Sequence, residues 1–268
     1  THERGVPFTP VAVVLDHLAG YNGYMDKPWG ILQPTAGDRE LRDLFDQQLL
    51  PGSDHIHTNP FPSNPELSYL RPTPYGEIFD VLTTAVPPEV LPTYPVILLA
   101  GDMEFDPAFV GELEKSLRRG SRVLMAARHR MALGAEFERV TRQGDVEVLE
   151  SWTNSATGRP AAISNARLAR LAQESLPIEI SGDAIQFQIN RTTRGWVVEL
   201  VNNAGVIKQK DQPAVVDPNA IARVVLRPKI QCASAREWRS NRVYPKPEET
   251  RLEVGPGQSA FVEFTCPR

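Results

Sequence analysis

Three apolar runs of this chain lead into residues that can hold or move a proton. Asp16 and His17 follow Val11–Leu15, Asp102 and Glu104 follow Pro95–Ala100, and His129 follows Arg122–Ala127. Asp54, His55 and His57, in a proline-rich stretch, can join them. Carboxylates and imidazoles gathered in one place can work as an acid/base pair or ligate a divalent ion. The spacing is unspecific, however. His55 and His57 would straddle two faces of an extended segment, and the sequence holds no HExxH or comparable signature. The competing and preferred reading has the carboxylates cap loops and helices while the histidines bond to their neighbours. A second set is aromatic: Tyr21, Tyr24, Trp29 and Tyr75, with Phe61, Tyr69, Trp152, Trp196 and Trp238 beyond them. Aromatic faces stack on sugar rings, but half-buried Tyr and Trp equally anchor loops and fill sandwich cores, which is the reading preferred here.

These residues take their places from the elements around them. Residues 95–127 spell a buried strand, a capped helix and a second buried strand, one βαβ unit. Both strands are continuously apolar, as in a parallel sheet covered on both faces. Asp106 stands at the N-cap position, Pro107 fits the first turn, and Val110, Leu113 and Leu117 repeat at helical spacing before Gly120. Val11–Leu15 and Ile78–Leu82 read as two further parallel strands. A helix is expected over 39–50, capped by Asp38, with Leu41, Leu44, Phe45 and Leu49 as its apolar stripe. In such sheets ligands bind outside the carboxyl ends of the strands, where Asp16, Asp102 and His129 stand.

Four parallel strands are expected in all. Residues 51–75 hold six prolines and no periodicity, a length of loop that is usually functional or an interface. Pro87–Leu91 reads as a short helical turn, and 136–152 as antiparallel additions around a Gly144-Asp145 turn. A short helix is expected over 164–173. After Leu176 short strands alternate with Gly and Pro turns, the pattern of an antiparallel sandwich. The expected division is an α/β domain over 1–170 and a β-sandwich over 171–268, with the boundary between about 163 and 178.

Bulk properties narrow the function. The 268 residues are 41% apolar and 23% charged, with a net charge of −4. An acidic chain without a Lys/Arg run has no electrostatic footprint for nucleic acid. The longest apolar stretches fall well short of the roughly 20 residues of a membrane span. No nucleic-acid or membrane partner is therefore expected, and no cofactor. Thr1 leads a polar segment with Pro7 and Pro10 rather than a core strand, unlike an activated N-terminal nucleophile. The chain opens Thr-His-Glu-Arg-Gly with neither an initiator Met nor a signal sequence, so processing, cloning or origin in a longer polypeptide is expected. Cys232 and Cys266 are the only cysteines. They can form one disulfide if the protein is exported, or can equally be buried free thiols, and the reading leans to the disulfide. Asn190-Arg-Thr matches a glycosylation sequon but falls at a strand end and is discounted.

The order of elements over 8–135 resembles the class I glutamine amidotransferase fold, a flavodoxin-like relative. In that family a Cys follows the strand equivalent to 122–127, at a glycine-containing elbow. Here the stretch reads Val123-Leu-Met-Ala-Ala-Arg, with neither Cys, Ser nor flanking Gly. Without a thiolate no thioester forms, so amidotransferase activity is not expected.

A closer resemblance covers nearly the whole chain. Pro7-Phe-Thr-Pro-Val-Ala-Val-Val-Leu-Asp-His-Leu-Ala-Gly-Tyr, Thr73-Pro-Tyr-Gly-Glu-Ile-Phe-Asp-Val-Leu and Leu91-Pro-Thr-Tyr-Pro-Val-Ile-Leu-Leu-Ala-Gly-Asp are similar to the amidotransferase-like domain that follows the (β/α)8 barrel in family 42-type β-galactosidases and related bacterial glycoside hydrolases. The segment from Trp196-Val-Val-Glu-Leu-Val-Asn-Asn-Ala-Gly-Val-Ile-Lys to Pro256-Gly-Gln resembles the small β-sandwich that ends such proteins. In that family the catalytic acid and nucleophile are two glutamates of the barrel. No barrel is read in this chain, so no catalytic residue carries over. The resemblance implies a non-catalytic module that makes oligomer contacts, often trimeric, and helps wall a sugar pocket. The partners it implies are further copies of the chain or an upstream catalytic barrel, with a carbohydrate as ligand.

Overall fold

The continuous apolar runs become the centre of a parallel sheet. The structure is a computed structural model that describes residues 2–18, 35–49, 76–151, 153–154, 159–160, 170–171, 173–207 and 211–267. The chain divides into two compact units: Thr9–Phe61 with Phe79–Ala172, and Thr1–Phe8 with Pro62–Ile78 and Gln173–Arg268. The first strand, β1 (Val6–Pro7), belongs to the second unit.

The parallel unit holds β2 (Val11–Leu15), β3 (Phe79–Thr83), β4 (Val96–Leu99), β5 (Arg122–Ala126) and β6 (Val146–Leu149), in the order β3-β2-β4-β5-β6. Every pairing is parallel, for example Val14 with Leu82 on one side and Leu99 on the other. Ala12, Val14, Ile97, Leu99, Val123 and Met125 pack with Leu91, Phe109, Val110, Leu113 and Leu117 in one core cluster. The alternate residues Val11, Val13, Leu98 and Leu124 are also buried, which is why these strands read as unbroken apolar runs rather than alternating ones.

Helix α1 (Ala36–Asp43) starts earlier than expected. Its N-cap is Thr35, and Asp38, the third residue of the helix, is the reciprocal partner of a capping box. A Thr followed three residues later by an acid is a stronger start signal than the acid alone. The helix continues as a π-helical turn over Leu44–Leu49, with Leu41, Leu44 and Leu49 buried. Helix α2 (Pro107–Arg118) follows the sequence closely: Asp106 accepts from the amides of Ala108 and Phe109, and Pro107 opens the first turn. The expected turn at 87–91 is present, the Val90 amide donating to the Pro87 carbonyl at 3.0 Å, and it runs on into a 3₁₀ turn over Leu91–Thr93.

The segment after β5 corrects the expected count of four parallel strands and the antiparallel additions. Two helices, α3 (Ala127–Leu133) and α4 (Glu136–Thr141), lead into β6, a fifth parallel strand. Phe137 and Val140 stand three residues apart, a helical spacing mistaken for alternation. A small antiparallel pair, β7 (Thr153–Asn154) with β8 (Arg159–Pro160), follows. Of the helix expected over 164–173, residues 164–169 and 172 lie outside the described residues, and 170–171 and 173–175 are helical.

The second unit is antiparallel. It comprises β9 (Ile178–Gly182), β10 (Gln186–Arg191), β11 (Gly195–Asn202), β12 (Val206–Ile207), β13 (Val215–Val216), β14 (Ala222–Pro228), β15 (Ser234–Glu237), β16 (Val243–Tyr244), β17 (Thr250–Val254) and β18 (Gln258–Thr265). One sheet runs β1-β10-β11-β18-β15-β16 and another β17-β14-β9, with β12-β13 as a separate hairpin. Buried and exposed residues alternate along β14 and β17, as expected of a β-sandwich with one wet face. Phe187, Ile189, Val198, Leu200, Val262 and Phe264 of the larger sheet are buried, as are Ile178, Val224, Leu226 and Leu252 of the smaller.

Residues 2–8 belong to this unit, a placement the 1–170 division did not foresee. Val6 and Pro7 pair with Arg191 and Asn190. Arg4 forms a two-pronged pair with Glu199 at 2.5 and 2.8 Å, and the His2 ring stacks on Trp238 at 4.6 Å. Trp196, expected in the core, is half-buried, with the Phe8 ring edge-on to it at 5.3 Å. Asn190 is only 1% exposed and donates to Glu199, so the sequon it heads is inside the sheet. Cys232 and Cys266 are joined in a disulfide.

Candidate functional site

The parallel sheet reverses its strand order between β2 and β4. Open α/β sheets bind ligands outside the carboxyl ends of the strands at such a reversal. Asp16 follows β2 there, and Gly101, Asp102 and Glu104 follow β4. Asp16 is buried and accepts from the Leu18 amide at 2.7 Å and the Glu104 amide at 2.8 Å. Its carboxylate thus ties the two strand exits together. His17 turns to Thr84, whose hydroxyl accepts from the His17 amide at 3.1 Å and lies 2.8 Å from Nδ1.

Asp102 is the focus of a charged network. It accepts from the Thr35 hydroxyl at 2.5 Å and from Arg128 at 2.8 Å. Arg128 also contacts the buried Glu40 carboxylate at 2.7 Å, and Ser151 donates to Glu40 at 2.5 Å. Glycine at 37 makes this possible: a Cβ there would fall 2.2 Å from the Asp102 carboxylate. Gly101 has φ +76, a left-handed turn that glycine adopts without steric cost. The turn aims the Gly101 carbonyl at His129, whose Nε2 donates to it at 2.8 Å, while Nδ1 accepts from the Ala126 amide at 3.0 Å. These partners assign the neutral Nε2–H tautomer. Burial, at 1% exposure, holds the imidazole pKa below its ordinary 6.5.

Asp16, Leu18, Asp102, Met103 and Glu104 line a cavity of about 230 Å³ at the reversal. The structure therefore brings Asp16, Asp102 and Glu104 together and sets His17 beside Asp16, 3.9 Å from its carboxylate. His129 supports the edge from below and does not line the cavity. Asp54, His55, His57, Tyr21, Tyr24, Trp29 and Tyr75 lie outside the described residues. Among the described residues no three His, Cys, Asp or Glu side chains converge as metal ligands do. Thr35, Glu40, Arg128 and Ser151 are the site residues that sequence reasoning missed. Arg128 was legible as the neighbour of His129 at a strand exit, whereas the Glu40 and Ser151 contacts are long-range pairings without a local signal.

What this edge can do chemically is present two carboxylates, Asp102 and Glu104, to a small polar group. Asp102 is 47% exposed and already engaged by Thr35 and Arg128.

No family model matches the chain, and no curated protein matches it. Solved structures do. Alpha-L-fucosidase isoenzyme 2 from Paenibacillus thiaminolyticus aligns with 98% of this chain and 49% of its own length, at 9% identity and a TM-score of 0.52. The GH42 β-galactosidase Gan42B aligns with 96% of this chain and 40% of its own, at 8% identity and a TM-score of 0.48. A β-galactosidase from Bacillus circulans sp. alkalophilus aligns with 97% and 42%, at 8% identity and a TM-score of 0.45. The chain spans about half the length of the fucosidase it matches. At such identities the likeness is one of fold, and the fucosidase match, with the highest TM-score of the three, carries it.

Proposed function

We propose that this chain is a non-catalytic module of a bacterial glycoside hydrolase, shaping the sugar pocket and carrying subunit contacts for a catalytic domain elsewhere in the polypeptide. The observation that carries this reading is the fucosidase alignment, which takes in 98% of this chain but only 49% of that enzyme. The state of the sheet edge supports it. Asp16 is engaged by two amides, His129 by an amide and a carbonyl, and Asp102 by a hydroxyl and a guanidinium. Groups that must exchange protons with a substrate keep a lone pair or hydrogen directed at it, and His129, with both ring nitrogens bonded within the fold, keeps neither. We read the parallel sheet as flavodoxin-like and amidotransferase-like on its strand order, 2-1-3-4-5 in sheet numbering. The partners in this reading are further copies of the chain or an upstream barrel.

Mass analysis of the native polypeptide, traced through peptides of residues 96–126, tests the module reading. The expected result is a mass well above the 29.8 kDa of this chain. A native protein of 29.8 kDa would contradict it.

A further inference from the structure

The antiparallel unit holds an opening of its own. It is a cleft of about 860 Å³ between β14 and the edge strand β17 on one side, and the β15–β16 hairpin with the start of β18 on the other. That volume is within the range of sites that enclose small ligands, about 300–1,000 Å³. Buried apolar residues, Val224, Leu252, Val254 and Ala260, contribute to the lining. So do four arginines: Arg223, Arg239, Arg242 and Arg251.

The charges in the cleft do not cancel. Arg223 pairs with Glu253 at 3.1 Å, and Arg251 with Glu249 at 2.5 Å. Glu237 is buried, and its carboxylate accepts from the amides of Arg239 and Ser240 and from the Ser240 hydroxyl. Burial alone would raise its pKa, but these bonds outweigh it and hold the group below the ordinary carboxylate value, so its acceptor capacity is already committed while its negative charge stays in the cleft and offsets one arginine in part. That leaves Arg239 and Arg242. Arg239 donates once, to the Ser259 carbonyl at 3.0 Å. The Arg242 guanidinium lies over the Tyr244 ring, 4.9 Å from its centroid. Among the described residues neither has a carboxylate within ion-pair distance. A guanidinium held over an aromatic ring still has N–H donors for an incoming oxyanion. Gln258, Ser240 and Ser259 stand in the same cleft to serve hydroxyls.

We propose that this cleft binds an oligosaccharide carrying a carboxylate or sulfate, the anion held between Arg239 and Arg242 and the sugar ring set on the apolar lining. The saccharide carrier rests on the glycoside hydrolase reading above, whereas the preference for an anion rests on the arginines alone.

The test is calorimetric titration of the full chain with four probes. They are a uronic-acid oligosaccharide, a sulfated oligosaccharide, a neutral oligosaccharide of equal length, and inorganic sulfate. One acidic oligosaccharide should bind about tenfold or more tighter than both the neutral one and inorganic sulfate. Arg242→Ala alone, which leaves the Arg239–Ser259 bond intact, should weaken it about tenfold, and adding Arg239→Ala should weaken it further. Lys at both positions should recover only part of the affinity, because the fork is lost while the charge remains. Equal binding of the neutral and acidic saccharides overturns the proposal, as does no binding of either acidic one or unchanged binding by the Arg242→Ala chain. Inorganic sulfate matching the acidic saccharides overturns the saccharide half. Glycoside turnover at the sheet edge is read separately, so a failed titration and a failed module reading are told apart.

Discussion

At the scale of single residues, the parallel unit is held by side chains that look catalytic in sequence and act as braces in the fold. His129 is the clearest. Its two ring nitrogens bridge Ala126 and Gly101, so His129→Ala leaves a buried amide and a buried carbonyl without partners and opens a cavity. We expect a loss of about 3 kcal/mol near pH 8, measured by urea unfolding. The pH dependence follows from the direction of the shift. With the native pKa held below 6.5 by burial, the unfolded chain binds the proton more readily. The stabilisation is complete above about 6.5 and fades as pH falls through the lower native value. The gap between wild type and His129→Ala should therefore narrow on acidification. A gap that stayed constant or widened would contradict the neutral tautomer. The positions of Asp16, Asp102 and His129 at strand exits were legible, because strand ends are readable from apolar runs. The preferred reading, carboxylates capping loops and histidines bonding neighbours, named the kind of contact but not the partners, which depend on turns such as Gly101 that the residue types alone do not encode.

At the scale of elements, local signals carried far where start and stop residues agree. The βαβ unit at 95–127 combined buried runs, an Asp106 cap and a Pro at the first turn, and its helix spans Pro107–Arg118. The reading failed where two periods compete over a short stretch, as in 136–149, and where a capping box was taken for a single cap. Thr35 now carries two duties, capping α1 and donating to Asp102. Thr35→Ala should cost about 1 kcal/mol, while Thr35→Ser should cost little because the hydroxyl is kept. Chemical denaturation of the two variants distinguishes a cap from a contact that needs the methyl group. The strand β1 was not legible at all: two residues, Val6 and Pro7, pair with the distant Arg191 and Asn190, and so short an edge strand leaves no period to read.

At the scale of the molecule, a covalent link ties the ends of the neighbouring strands β15 and β18 of the larger sheet. The Cys232–Cys266 bond joins residues 34 apart, a loop whose cross-link stabilises by about 2–4 kcal/mol. Calorimetry with and without reductant should show the antiparallel unit losing thermal stability on reduction, and unchanged melting would show that the pairing does not form in solution. The length of the chain made two units legible, and the short strands after Leu176 made the antiparallel sheets legible. The arginine cleft was not, because Arg223, Arg239, Arg242 and Arg251 come together only through the pairing of β14 with β17 and of β15 with β16 and β18.

In the proposed reading this chain supports sugar chemistry performed elsewhere. Assaying the full chain at high concentration against nitrophenyl fucosides and galactosides tests it most directly. The account predicts no turnover above the buffer rate. Steady turnover that disappears in Asp102→Ala or Glu104→Ala would contradict it and make the cavity at the sheet edge an active site.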